Sequence, residues 1–272
     1  MTDQIQSLTQ LKQRMNADLF DLSGRVAVVT GGSSGIGKAM AAGLAHYGAK
    51  VVITSSNSEK CNAAAKELKQ IGAQVLPLPA DVTQTDQVTA MVERTVNEWE
   101  RLDILINSSG IYQGTPAMEM TPEEWQRVMS VDLDGAFYCC QAAGKAMAAG
   151  GQGSIINITS LSGLLGYAKE AAYCAAKGGL TMLTRALAVE WARLKIRVNA
   201  IAPTWFYSPI SAHVLDDPEK LADKLRYIPL DRVGHGDDIV GAAVFLASDA
   251  SNFVTGQILG VDGGKFAMLG EW

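Results

Sequence analysis

The 272-residue chain predicts an α/β domain, doubly wound around a seven-stranded parallel sheet with helices on both faces. Three observations carry this expectation. From Arg25 onward, short apolar runs alternate with longer segments of helical period. The runs are apolar throughout, as strands buried on both faces must be. No composition break, internal repeat or low-complexity stretch divides the chain. Residues 22–272 are therefore expected to form one domain.

The elements follow in order. Val26–Thr30 is the first strand, with a helix over Gly35–Gly48. Val51–Thr54 is the second, followed by a helix over Ser58–Ile71 opened by Ser58, with Glu59 near its positive end. Gln74–Leu78 is the third, followed by a helix over Thr85–Glu100. Ile104–Asn107 is the fourth. A long helix over Thr121–Ala149 comes next, begun by Thr121-Pro122 with Glu124 completing a capping box. Ile155–Thr159, Ile196–Ile201 and Ile258–Val261 supply the last three strands. Residues 1–21 stand apart as an N-terminal extension, where Ile5, Leu8, Met15 and Leu19 recur at helical spacing. Pro203–Pro229 reads as one long irregular region, and a lid is expected at about residues 204–229.

Composition excludes several classes of function. Hydrophobic residues make up 48% and charged residues 19%, which supports a sizeable core. The net charge of −5 argues against a nucleic-acid partner. No run of 18 apolar residues exists, so no membrane span is expected. Met1–Arg14 lacks the layout of a secretory leader. Cys61, Cys139, Cys140 and Cys174 have no paired spacing, which points to a reduced, cytoplasmic setting. His46, His213 and His235 are scattered, so no metal site is expected.

The chemistry begins at the turn after the first strand, Thr30-Gly31-Gly32-Ser33-Ser34-Gly35-Ile36-Gly37. Glycines let the backbone approach a phosphate, and the helix N-terminus supplies free N–H groups and a positive dipole end. The preceding strand and following helix give the motif its required context. Its spacing, Gly-x3-Gly-x-Gly, resembles the short-chain dehydrogenase/reductase family over about residues 22–265. The family's fold is the doubly wound dinucleotide-binding one, which agrees with the reading above.

The resemblance implies further cofactor contacts. Asp81-Val82 matches the family's adenine-binding pair, and Asn107 and Gly110 its turn after the fourth strand, on the adenosine side; Ser108 and Ser109 depart from the pattern. Pro203 ends the nicotinamide-side strand, Thr204 replaces the usual glycine, and Ser208 falls where the family has a cofactor-contacting threonine. The second strand ends in Ser55, Ser56 and Asn57, with neither an acidic nor a basic residue there or at Ser34. Without a carboxylate to repel a 2′-phosphate, and with hydroxyls to bind it, the NAD(P)(H) expectation tilts toward NADP(H).

Tyr173 and Lys177 are four apart on a predicted helix and so share a face. A nearby ammonium lowers a phenol's pKa toward the working range, and the phenol can then exchange a proton with an alcohol or ketone oxygen. Ser160, thirteen residues before Tyr173, ends a strand and faces the crevice, where its hydroxyl can orient the substrate oxygen. Ser162 is a rival by residue type, and Ser160 has the family's spacing. Asp132 stands where the family has a catalytic asparagine that acts largely through its main-chain carbonyl. The resemblance implies that this proton relay survives, with altered electrostatics near Lys177.

Trp205, Phe206 and His213 are candidate substrate walls in the lid, and Tyr112, with Gln113, Lys169 and Glu170, a polar candidate at the pocket. Cys174, off the Tyr–Lys face, is not expected to act as a nucleophile. The expected activity is hydride transfer between NAD(P)(H) and a secondary alcohol or ketone, with a sugar, sugar acid, polyol or small hydroxyketone as substrate. A 3-oxoacyl thioester reductase and a steroid or xenobiotic ketone reductase are alternatives. A catalytically silent NAD(P)-binding sensor or scaffold is the rival from another class. The resemblance also implies a homotetramer or dimer.

Overall fold

The computed structural model describes residues 18–268 and residue 270; most of the expected N-terminal helix lies outside the described residues. The strands are β1 (Val26–Thr30), β2 (Lys50–Thr54), β3 (Val75–Pro77), β4 (Ile104–Asn107), β5 (Gly153–Ile158), β6 (Ile196–Pro203) and β7 (Ile258–Val261). All pair in parallel, in the order β3-β2-β1-β4-β5-β6-β7. The order reverses between β1 and β4. Chain connections there leave on opposite faces and open a crevice at the strands' carboxyl ends.

Helices cover both faces. On one lie α1 (Gly35–His46), α2 (Ser58–Gln70) and α9 (Gly236–Ala247), with Met40, Leu44, Cys61, Leu68, Ile239 and Val244 buried against Val29, Ile53 and Ile106. On the other lie α3 (Thr85–Trp99), α5 (Gly135–Gly150) and α6 (Ala171–Trp191), with Val88, Met91, Cys139, Met147 and Leu187 against Val28, Leu105 and Ile155. Every residue of β1 and β4 is buried, which is why these runs lack polar alternation.

Four local expectations are corrected. Asn57, not Ser58, caps α2, its side chain accepting the Lys60 N–H at 2.8 Å. The third strand, at the sheet's edge, is shorter than expected and ends at Pro77, a residue that edge strands tolerate. The helix over 121–149 is interrupted: α4 (Pro122–Met129) passes through a π-helical turn at Ser130–Asp134 before α5 begins. The region after β6 is not wholly irregular. It holds α7 (Ala212–Leu215) and α8 (Pro218–Leu225), whose Leu215, Leu221 and Leu225 gather with Ile228, Val233 and Trp205 into a small apolar cluster. Asp217 and Pro218 start α8 as cap and first residue. Among the described residues, no helix is long and apolar enough to cross a membrane.

Candidate active site

The glycine-rich turn forms a cradle that side chains would fill. Gly31 has φ +63°, and a Cβ there would lie 2.8 Å from the Ser108 carbonyl oxygen. A Cβ on Gly37 would lie 2.3 Å from the Gly31 oxygen, so both contacts are with backbone that has no room to yield. No side chain caps the first turn of α1, and Ser34, exposed at its N-cap, leaves the N–H groups of Gly35, Ile36 and Gly37 toward the crevice. Ser33 is half-buried in the same turn. Ser208 closes over it, at 3.1 Å from where a Gly35 Cβ would stand. A close-approach backbone and uncapped helix N–H groups fit a dinucleotide's phosphates.

Thr30 ties this turn to its neighbour, its hydroxyl accepting the N–H groups of Ser108 and Ser109 at 3.0 and 3.1 Å. Asn107 is buried behind, donating to Asn157 Oδ1 at 2.9 Å and the Ala136 carbonyl at 3.2 Å. It braces the sheet's centre. Asp81 folds onto its own turn, accepting the N–H and hydroxyl of Thr83, and Val82 packs on Gly135. At the end of β2, the Ser55 hydroxyl accepts the Asn57 N–H, and Ser56 is exposed. Pro203 is buried at the end of β6.

Gly110 lies against the buried acid–base cluster: a Cβ there would stand 2.7 Å from Asp132 Oδ1 and 3.4 Å from Lys177 Nζ. Sequence spacing placed it in a turn without revealing which way that turn folds.

The cluster itself is built by the π turn and α6. The π turn carries Asp132 fully buried toward the crevice, as such turns often do at functional sites. Its Oδ1 pairs with Lys177 Nζ at 2.9 Å, and its Oδ2 accepts the Ile111 N–H at 2.9 Å. Lys177 Nζ also donates to the Ile158 carbonyl at 3.1 Å and lies 5.6 Å from the centroid of the Tyr173 ring. Burial works against the Lys177 charge, but Asp132 and Tyr173 outweigh it and hold the ammonium's pKa above its ordinary value. The expected proton relay through a main-chain carbonyl is thus joined by a direct carboxylate contact.

Tyr173 differs from the expectation. Burial pushes its phenol's pKa up, Lys177 pulls it down, Asp132 pushes it up again, and a hydrogen bond with Ser160 pulls it down; the net direction is upward. Burial, the largest effect, together with the Asp132 and Glu170 charges outweighs the pull of the Lys177 ammonium and of Ser160.

A second polar cluster adjoins the first. The Tyr112 ring meets Tyr173 edge-on at 5.6 Å, and its hydroxyl donates to Glu170 Oε1 at 3.3 Å. Burial and the neighbouring Glu170 charge push the Tyr112 phenol up to about 12. Ser162 donates its hydroxyl to Glu170 Oε2 at 2.8 Å and its N–H to Ser160 Oγ at 3.1 Å. Ser162 therefore supports Ser160 rather than replacing it. Gln113 turns away, donating to Thr115 and to the capping Glu124.

The lid residues divide. Trp205 is half-buried on the lid cluster, with Lys224 Nζ 5.7 Å from its ring centroid. Phe206, expected as a substrate wall, is corrected: it is 6% exposed and belongs to the main core, its ring filling the space over Gly234. His213 is exposed on α7. Cys174 turns its thiol to the Leu165 carbonyl at 3.8 Å. Lys265 stands just past the carboxyl end of β7, its Nζ 5.3 Å from the centroid of the Tyr167 ring.

Comparison with known proteins agrees with this fold. A family model, adh_short_C2, described as enoyl-(acyl carrier protein) reductase, matches residues 31–265. The 2-dehydro-3-deoxy-D-gluconate 5-dehydrogenase of Formosa agariphila is 38% identical over 259 residues, covering 94% of this chain and 98% of that one. The 3-oxoacyl-[acyl-carrier-protein] reductase of Synechocystis is 37% identical over 245 residues, 89% of this chain and 97% of that one. The crystal structure of a gluconate 5-dehydrogenase from Burkholderia cenocepacia in complex with NADP and tartrate has a TM-score of 0.89 and 38% identity, covering 93% of this chain and 99% of that one.

Proposed function

The chain belongs to the short-chain dehydrogenase/reductase family, and from that premise we propose that Ser160, Tyr173, Lys177 and Asp132 are the machinery of a sugar-acid or polyol oxidoreductase. The enzyme is NAD(P)-dependent and acts on CH–OH groups. The observation that carries the assignment is the convergence of these four side chains beside the glycine cradle, through the Asp132–Lys177 pair, the Lys177–Tyr173 contact and the Ser160–Tyr173 bond.

Gly31, Gly35, Ile36 and Gly37 would hold the cofactor's phosphates, and Asp81, Asn57 and Ser56 its adenosine end. The nicotinamide ring, when bound, supplies or takes the hydride. Ser160 binds and orients the substrate oxygen. Tyr173 gives that oxygen a proton in reduction and takes it back in oxidation. Lys177 stabilises the phenolate form, and Asp132 positions Lys177. Because the Tyr173 pKa is raised, the phenol is predominantly protonated near neutrality, which favours its role as a proton donor in reduction.

The Formosa and Burkholderia relatives' names support a sugar-acid substrate. The absence of a carboxylate among Ser55, Ser56 and Asn57 supports NADP(H). Assembly into a homotetramer or dimer belongs to the same reading, supported by exposed Phe253 and Leu259 beside α9 and β7. The test is a spectrophotometric panel of aldonates, polyols, acyl thioesters and ketones with both cofactors. Turnover of aldonates or polyols with NADP is expected. Turnover confined to acyl thioesters would establish the second reading, which the Synechocystis relative favours.

A further inference from the structure

We propose that the Lys265 ammonium binds a carboxylate on the substrate, so that the site selects sugar acids over neutral polyols of the same length. The proposal rests on the sugar-type reading above and names the group that would choose between its two substrate classes.

The argument starts from how Lys265 is held. It follows the Gly263-Gly264 turn beyond the carboxyl end of β7, where both glycines have positive φ, 62° and 91°. Asp262 clamps the turn, its two oxygens accepting the N–H groups of Gly264 at 3.0 Å and Phe266 at 2.7 Å. Leu230, just past the lid, donates its N–H to the Gly263 carbonyl at 3.1 Å. The root of the lysine is therefore fixed where the last strand meets the lid. Its Nζ lies 5.3 Å from the centroid of the Tyr167 ring, in the loop that joins Ser160 to Tyr173.

The charge inventory gives the second half. Lys265 is half-buried, and among the described residues it has no carboxylate within 4.0 Å. The three carboxylates in its field already have partners: Asp262 the backbone of its own turn, Glu170 the hydroxyls of Ser162 and Tyr112, and Asp223 the ammonium of Lys224 at 2.8 Å. Burial lowers the Lys265 pKa, Lys224 lowers it further, and Glu170, Asp262 and Asp223 oppose them. A half-buried cation under this pressure is relieved by an incoming anion.

Tyr167, Glu170 and Ser162 form the chain of neighbours between Lys265 and Ser160. A substrate that spans these neighbours would carry its carboxylate at one end and its reacting hydroxyl toward the other. An aldonate has that layout, and the Glu170 carboxylate between the two points is an acceptor for intervening hydroxyls.

The experiment uses the NADP-loaded enzyme with D-gluconate and D-glucitol, which differ at one terminus. Calorimetric titration and steady-state kinetics are run on wild type, Lys265→Met and Lys265→Arg. Lys265→Met is expected to raise the gluconate Kd and KM about tenfold to hundredfold, with kcat within about threefold and glucitol unaffected. Lys265→Arg is expected to restore most of the gluconate affinity. A Lys265→Met variant that weakens both ligands alike, or neither, overturns the proposal, as does wild type that binds gluconate no tighter than glucitol. If gluconate binds through Lys265 and is not oxidised, the anion site stands and the reading of the substrate as an oxidised sugar acid falls.

Discussion

The two sides of the crevice are built from different materials. Beside β1 and β4 the site is mostly backbone: Gly31 and Gly37 touch neighbouring carbonyls so closely that no Cβ fits, and α1 presents N–H groups without a side-chain cap. Beside β5, β6 and β7 it is mostly side chain: Asp132 on Lys177, Lys177 beside Tyr173, and Glu170 holding Ser162 and Tyr112. On our reading the first side would hold the cofactor's phosphates, and its backbone contacts leave no room for a Cβ. The second would carry proton transfer, each of its groups tuned by the charges and hydroxyls packed around it.

That contrast can be broken most severely at its chemical centre. Tyr173→Phe should cut kcat by about 10²–10⁴-fold, while fluorescence titration finds NADPH binding intact. Full turnover by this variant would remove Tyr173 from the mechanism. Gly37→Ala should do the opposite. Its Cβ would sit 2.3 Å from the Gly31 oxygen, so the turn must open. NADPH affinity should then fall about a hundredfold or more, at about 1.4 kcal/mol per tenfold, with circular dichroism reporting whether the fold is kept. An unchanged affinity would show that the cradle is not backbone-limited.

Asp132→Asn sharpens the comparison on the side-chain half. Asp132 raises the Tyr173 pKa, so replacing its negative charge favours the phenolate. The rising alkaline limb of the oxidation pH–rate profile should move to lower pH. A profile that stays in place would mean that Asp132 acts on structure alone. Phe206→Leu gives the smallest effect on function. The residue is core, so denaturant unfolding should show a loss of about 1 kcal/mol with KM nearly unchanged. A large KM change would return Phe206 to the pocket.

The strands were legible almost residue by residue, since a strand covered on both faces must be a continuous apolar run, as in β1 and β4. The glycine cradle was legible for a related reason: close backbone approach excludes every residue with a Cβ. Ser160, Tyr173 and Lys177 were legible through spacing and family resemblance. The π turn was not, because Ser130–Asp134 continues an ordinary helical pattern and only packing shifts its hydrogen bonds. Nor was the fate of Phe206, since three adjacent aromatics give no hint of which one turns inward.

By itself, then, the sequence determined the parallel sheet, the glycine-rich turn and the candidate proton-transferring groups, because each depends on local residue type, short spacing or family resemblance. Tertiary structure decided how those groups are charged and what surrounds them. It set Gly110 against the Asp132–Lys177 pair, raised rather than lowered the Tyr173 pKa, and brought Lys265 to the Tyr167 loop 98 residues away in sequence. Electrostatic tuning depends on distance and burial in space, and neither is encoded in the order of residues along the chain.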